Sequence, residues 1–551
     1  MSITKKQIYK VLAEDIKALG VDHVFVLMSD DTAALVSYLG TAGIQQHRLR
    51  HENQAIAAAE GYAAATGKLG VAIIGRGPAT LNGANAAKYS QMTDSKVLII
   101  YGDAPLYVSA NTVGPDYKAL DVLSLLSAME VKTFKPSSPN SVRSTFFEAA
   151  REASLGNAVA YLLATDLQFM EVEDESPDKF LTQQQIPPQI IEKESIETIV
   201  ALLEKSHKPL ILAGIGAYNS GAANVLIKLA EKTGALLSTS LRARSMFLNN
   251  PLDIGIVGGL SHPCAKKYIE QSDCVIVFGA SLNLWTTDQG TLFQHKKLIQ
   301  IDNLQSNLGR WHPVDVTITG DARNVAEALL QSLPERSKEQ KPFHTDKVLS
   351  ELANYNMAND FQDSSTNDLM DARPFVLGLN QILPKNCNII SDAGCFMKCL
   401  PYLFVQSPDK FKLTANNHSI GLAFGPAIGF AVARPENLTT LFAGDGAFMM
   451  EIGELETVVR EKLPMLIIVM NDSAYGMESD YLKKNQLPVE MTQFAEIDFA
   501  SIAKGFGLEA YTVRSLEDLR KIAPAITNLE KPTLLDCKIT RGMFEPFDRK
   551  P

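Results

Sequence analysis

The chain has 551 residues, of which 46% are hydrophobic and 21% charged, with 62 acidic against 52 basic residues and a net charge of −10. That length exceeds a single hydrophobic core and predicts about three domains of ordinary globular composition. The acidic balance excludes a general nucleic-acid or anionic-membrane binder, no apolar run reaches bilayer length, and six scattered cysteines give neither a disulfide framework nor a zinc pattern, which points to a reducing cytoplasm.

The first helix is announced by Ile8, Val11, Leu12, Ile16 and Leu19 at helical spacing, with Glu14 and Asp15 among them, unlike a signal peptide. Apolar strands are predicted at 24–27, 71–74 and 97–101, within a first domain of residues 1–170. The acidic, proline-bearing stretch 171–188 reads as a linker. A middle domain, 189–333, carries strands at 210–212, 274–278 and 297–301, with a Gly-x-Gly turn at Gly214–Gly216 after the first of them. That turn alone is weak evidence for a nucleotide, so FAD, ADP or an empty site all stay open. After a second polar seam, 334–371, a third domain (372–551) has strands at 387–390, 438–443, 465–470 and 533–537. Strands alternating with helices predict an α/β protein of three doubly wound, mainly parallel-sheet domains.

The most informative stretch runs from Leu441 to Met477: LFAGDGAFMMEIGELETVVREKLPMLIIVMNDSAYGM. An apolar strand, a Gly444-Asp445-Gly446 turn, an amphipathic helix and a second apolar strand lead to Asn471-Asp472. A right-handed crossover would bring Asp445 and Asp472 out beyond the carboxyl ends of parallel strands, where open α/β sheets bind ligands. Two acidic oxygens beside glycines suit a hard divalent cation carrying a phosphate. The stretch resembles the thiamine-diphosphate (ThDP) signature, Gly-Asp-Gly followed within thirty residues by Asn-Asn, with Asp472 in place of the second Asn. The resemblance implies Mg²⁺ ligation by Asp445, Asp472 and the Ala474 carbonyl, and cofactor contacts from Gly444, Gly446 and Gly476. It also implies the domain order: pyrimidine-binding, middle, diphosphate-binding.

Upstream, RHENQAIAAAEGYAAATG places His51-Glu52 at the start of an alanine-rich helix, where a carboxylate also suits the helix dipole. The segment resembles the RHE-x-x-A-x-x-A-A-x-G-Y-A motif of ThDP enzymes. By that resemblance Glu52 bonds N1′ of the aminopyrimidine and makes the cofactor its own base. Ile420 aligns with the apolar residue that keeps the cofactor bent. Gly394, in Ser391-Asp392-Ala393-Gly394, belongs to a phosphate-side loop. Asn82 keeps its place in RGPATLNG, which is similar to the family's RGPGATNA, while Ala79 replaces a glycine.

Asp30 and Glu478 align with acids of pyruvate decarboxylase-like enzymes and are candidate proton donors; neighbouring carboxylates raise one another's pKa, which would keep one protonated. No His-His pair accompanies them. GPDYKALD instead resembles a stretch of acetohydroxyacid synthases, with Lys118 placed to meet a substrate carboxylate, and Tyr481 falls where those enzymes carry Trp. The resemblance therefore implies a Mg²⁺- and ThDP-dependent enzyme of the acetohydroxyacid synthase-like branch that decarboxylates a 2-oxo acid, with carboligation to an acyloin open. A hydrolase or lyase of a diketone or acyloin, and a catalytically silent ThDP-binding subunit, are the alternatives. Sites shared between subunits imply a homodimer or homotetramer.

Overall fold

The structure, a computed structural model, describes residues 4–107, 116–181, 191–336, 341–527 and 529–542. Three six-stranded sheets, each wholly parallel, form three α/β domains. In the first, the spatial order is Gln45–Arg48, His23–Val26, Gly70–Ile74, Val97–Asp103, Ala158–Ala164 and Lys132–Phe134. Its inner strands GVAII, VLIIYGD and AVAYLLA are buried at every position, as strands covered on both faces must be. The middle sheet runs Asp253–Ile256, Leu236–Thr239, Pro209–Ala213, Cys274–Phe278, Lys297–Asp302, Val316–Thr319. The third runs Phe411–Leu413, Asn388–Ser391, Thr439–Gly444, Met465–Asn471, Thr533–Lys538, Glu509–Val513.

Each sheet reverses its strand order at its first strand in sequence, the kind of point where open α/β sheets bind ligands at the carboxyl edge. In the first domain the reversal separates the strands leading to Asp30 and Arg76. In the third it separates those leading to Asp392 and Asp445.

The first and third domains share one core. Helix Glu52–Thr66 is buried nearly all round, because one side faces its own sheet and the other lies on helix Phe424–Ala433. The helices touch backbone to backbone. A Cβ on Gly61 would stand 2.4 Å from the Pro426 oxygen, and one on Gly429 would stand 2.2 Å from the Ala58 oxygen.

The acidic seam departs from a simple linker. Its first residues, Glu171–Glu173, form a strand antiparallel to Lys5–Gln7, so the end of the first domain is fastened to its beginning. Positions 182–188 of that seam lie outside the described residues. No helix among the described residues is long and apolar enough to cross a membrane.

Candidate cofactor and metal site

Strand Thr439–Gly444 delivers Asp445 to the first position of helix Asp445–Glu451, and the adjacent parallel strand Met465–Asn471 delivers Asp472. Asp445 is only 2% exposed. Its Oδ1 accepts the Gly446 amide at 2.7 Å and its Oδ2 accepts the Ser473 amide at 2.6 Å. Burial pushes its pKa up to about 6. Asp472 is pushed up to about 7, by burial first and then by the charge of Asp445, against an opposing pull from Arg541.

Ala474 forms an antiparallel bridge with Gln493, flanked by bonds from the Tyr475 amide to the Thr492 carbonyl (2.8 Å) and from the Phe494 amide to the Ser473 carbonyl (3.1 Å). Those flanking bonds turn the peptide groups of Ala474 itself toward the opposite edge, where its amide opposes the rise in pKa of both acids. A buried carboxylate whose charge raises the pKa of its half-buried neighbour is relieved by a divalent cation. Among the described residues no cluster of three or more His, Cys, Asp or Glu could hold a metal, so the protein offers two carboxylates and one carbonyl. Mg²⁺ typically takes one or two carboxylates and fills its octahedron with phosphate oxygens and water, so this donor set fits a Mg²⁺–diphosphate pair.

The glycines around these acids are dictated by packing. A Cβ on Gly446 would lie 2.5 Å from the Tyr475 ring, and one on Gly476 would lie 2.9 Å from the Cys395 Cβ. Gly476 opens helix Gly476–Lys484, and Gly394 closes on the Phe396 ring, where a Cβ would approach to 2.8 Å. Gly444 is the exception, since a Cβ there meets Phe396 at an ordinary 3.6 Å.

Glu52 is the first residue of its helix, capped by His51, whose Nδ1 accepts the Asn53 amide at 3.1 Å. Asn82 donates to Glu52 Oε2 at 3.1 Å, which joins the two first-domain motifs. The helix start is tied to the third domain by Gln54, which donates to the Gly421 carbonyl at 3.0 Å and accepts the Gly425 amide at 2.7 Å. Half-buried Ile420 immediately precedes that contact.

The structure also brings together Asp30 and Lys118, which belong to separate sequence motifs, and adds three residues that sequence reading missed. Lys118 pairs with Asp30 and, at 2.9 Å, with Asp31, which is 4% exposed. Arg76 bonds Asp31 through its Nε at 3.0 Å and Asp116 through both Nη atoms at 2.6 and 3.0 Å. The Asp30–Asp31 adjacency does not raise their pKa values as adjacent carboxylates alone would. The hydrogen bond from Lys118 holds Asp30 below the usual carboxylate range, and for Asp31 the same lysine, Ser29 and the Arg76 amide outweigh burial. Asp30 is therefore ionised near neutrality, which does not suit a proton donor. The doublet Asp30-Asp31 and the arginine before Gly77 were the available signals. Glu478 is exposed in the first turn of helix Gly476–Lys484. Gly114 and Pro115 of GPDYKALD lie outside the described residues.

In the middle domain the Gly-x-Gly turn closes its own switch point. A Cβ on Gly214 would sit 2.1 Å from the Gly279 oxygen and one on Gly216 2.9 Å from the Gly279 Cα. Loop-to-loop packing accounts for these glycines without a nucleotide.

The chain matches three domain families in succession: the N-terminal TPP binding domain of thiamine pyrophosphate enzymes over residues 6–123, their central domain over 196–329, and their C-terminal TPP binding domain over 392–537. It is 26% identical over 549 residues to the "Probable acetolactate synthase large subunit" of Methanococcus aeolicus, covering 95% of this chain and 91% of that protein. It is 24% identical over 593 residues to the sulfoacetaldehyde acetyltransferase of Castellaniella defragrans, covering 98% and 94%. A solved structure of a thiamin diphosphate-dependent enzyme from Mycobacterium smegmatis shares the fold, with a TM-score of 0.78 at 19% identity over 98% of this chain and 100% of that one. Three matched domains in the order in which the three sheets occur show that the chain belongs to the thiamine diphosphate-dependent enzymes, in their acetohydroxyacid synthase-like branch.

Proposed function

We propose that this enzyme uses Mg²⁺ and ThDP to act on the C–C bond beside a carbonyl, decarboxylating a 2-oxo acid and joining the remaining fragment to a second carbonyl as an acyloin. The observation that carries the reading is buried Asp445 with half-buried Asp472 beside the switch point, and the Ala474 peptide turned toward them. ThDP, when bound, supplies a nucleophilic carbon and an electron sink. Asp445, Asp472 and the Ala474 carbonyl hold Mg²⁺, and the tight turns at Gly394, Gly446 and Gly476, with Gly444, bring backbone close to the diphosphate. Glu52, oriented by Asn82, exchanges a proton with the aminopyrimidine, and Ile420 supports its bend. Asp30, ionised by Lys118, contributes negative charge to the pocket, and Glu478 remains the acid that exchanges protons with solvent. The site lies between subunits: Met28 (54% exposed) near the first half-site, and Met450 (58%) and Tyr481 (66%) near the second, are apolar surfaces that a second copy would cover.

Calorimetry with ThDP and Mg²⁺ tests cofactor binding, and CO₂ release across a panel of 2-oxo acids, with aldehyde and acyloin both assayed, tests the chemistry. Glu52→Gln should lower turnover about 10²–10⁴-fold, the contribution of a positioned acid–base partner; full activity in that variant sinks the assignment. One observation favours a second reading, cleavage of a neutral diketone or acyloin. Lys118, the cation expected to meet a substrate carboxylate, is already paired with two aspartates. Turnover of neutral substrates without CO₂ would select it.

A further inference from the structure

Three buried polar side chains sit where the first and third domains meet, beside Ile420 and the start of the Glu52 helix; with the site shared between subunits, as proposed, these two residues of one chain serve two different cofactors. Asp392, fully buried, accepts the Gly421 amide at 2.9 Å and the Leu422 amide at 3.4 Å on Oδ2, and the Ala393 amide and the Thr414 hydroxyl on Oδ1. Glu451, 3% exposed, accepts the Phe424 amide at 3.1 Å and the Gln54 amide group at 3.3 Å on Oε2, while its Oε1 has no partner. Gln54 completes the frame by bonding the Gly421 carbonyl and the Gly425 amide. Every one of residues 421, 422, 424 and 425 is thus held by a side chain from this trio. Ile420 is the residue immediately before them, and Glu52 lies two residues before Gln54.

We propose that Gln54, Asp392 and Glu451 are positioning residues for ThDP, a single buried frame that fixes Ile420 of one site and the start of the Glu52 helix of the other. The proposal rests on the reading of Ile420 and Glu52 as cofactor contacts. Charge supports a neutral Glu451. Burial and the neighbouring Asp392 push its pKa well up, and no basic side chain bonds either acid. The partnerless Oε1 is the atom that would carry the proton of a neutral acid. A frame that works through a neutral carboxyl should accept a glutamine in its place, because the amide keeps an acceptor for the Phe424 and Gln54 donors.

The test uses the full chain with and without Mg²⁺–ThDP. Amide hydrogen exchange is followed at residues 420–425, and titrations separate the half-saturation concentration for ThDP from the KM for a 2-oxo acid. In Glu451→Leu, exchange at 420–425 should rise roughly ten- to hundredfold without cofactor, the loss of two buried hydrogen bonds. Half-saturation by ThDP should rise by a similar factor while the KM for the 2-oxo acid stays put. Glu451→Gln should restore both. Gln54→Leu, which removes the frame from the other domain, should reproduce the pattern and serves if Glu451→Leu does not fold. Unchanged exchange at 420–425 in both leucine variants, or a glutamine variant as impaired as Glu451→Leu, overturns the proposal. Wild-type protein that binds no ThDP would instead overturn the proposed function, with the exchange result still deciding whether the frame exists.

Discussion

Lys412→Met is the perturbation whose size the structure defines best. Lys412 lies on the edge strand Phe411–Leu413, with its Nζ bonded to Glu60 of the Glu52 helix and 5.4 Å from the centre of the Tyr89 ring. Glu60 is fully buried; its Oε1 takes a second bond from Ser95 at 2.7 Å and its Oε2 has no partner. Removing the lysine leaves a buried carboxylate with one neutral hydrogen bond, and breaking such a pair from one side costs about 3–5 kcal/mol. For a unit of about 350 residues, at about 2.1 cal/mol/K each, that is a fall of roughly 4–7 °C in the transition of the joined first and third domains. Replacing both partners should behave differently, because the desolvation of two charges disappears with their attraction. Glu60→Leu combined with Lys412→Met should recover most of the loss. Differential scanning calorimetry is the suitable assay, since three domains need not unfold together. Tryptophan fluorescence reports the event less directly, as Trp285 and Trp311 both belong to the middle domain and Trp285 meets the third at His418. A loss under about 1 kcal/mol in the single variant, or a double variant no better than Lys412→Met, refutes the claim that this pair is dry and mutually dependent.

Gly429→Ala forces a methyl to 2.2 Å from the Ala58 oxygen and 2.5 Å from the Tyr62 nitrogen, so the helices must part. It should cost at least about 1–3 kcal/mol and weaken ThDP binding by calorimetry, whereas Gly505→Ala, on an open helix surface, should be neutral or stabilising. Asp445→Ala should abolish Mg²⁺-dependent ThDP binding, while Asp472→Asn, which keeps an oxygen ligand, should retain it. Arg541 donates to the Asp472 carbonyl at 2.7 Å and to the Gln493 side chain at 2.9 Å, so Arg541→Gln should weaken Mg²⁺–ThDP binding. The loss should be smaller in the Asp472→Asn background; equal losses in both mean that Arg541 acts only through the carbonyl. Burial lowers the pKa of His262 to about 4, and its Nδ1 caps a helix by accepting the Ala265 amide at 3.1 Å. Its folded pKa lies below the unfolded value, so its stabilisation is present above about pH 6.5 and is lost as pH falls toward 4. His262→Asn, which can still cap, should flatten that loss in the middle-domain transition.

What was legible in the sequence follows from what repeats locally. Most inner strands announced themselves because burial on both faces demands unbroken apolar runs, and Met465–Asn471 lies within one residue of its expected limits, although inner strands Ala158–Ala164 and Leu236–Thr239 were not among those expected. Edge strands did not. Gln45–Arg48 contains no aliphatic residue and exists because it pairs with His23–Val26 and because His47, bonded to His23 at 3.0 Å and to Glu461 at 3.2 Å, is buried there. Asp445, Asp472 and Glu52 could be named because a motif of fixed spacing surrounds each. Arg541, Asp31 and Glu451 could not, since each meets its partner through tertiary contacts. The motifs suggest Asp30 and Glu478 as neighbouring acids that keep a proton, whereas Lys118, distant in sequence, pairs with Asp30 and lowers its pKa.

The links between the first and third domains also bear on how such a chain can vary. Helix contact at Gly61 and Gly429, the Glu60–Lys412 pair, the Gln54 frame and the Asn85–Ser419 bond at 2.7 Å all join the first domain to the third on either side of Ile420. Each needs both partners, and most are buried, so a substitution on one side is felt on the other. Asp30, Lys118 and Glu478 stand on loops or at a helix start beyond this block, with Asp30 81% exposed. Under the proposed function, cofactor geometry is carried by the part that cannot change piecemeal, and substrate choice by the part that can. A chain built this way can keep Glu52, Asp445 and the shared core while exchanging pocket charges. Lys118 held between two aspartates is such an exchange, and the net charge it leaves in the pocket, rather than the metal loop, sets the range of substrates to be tried first.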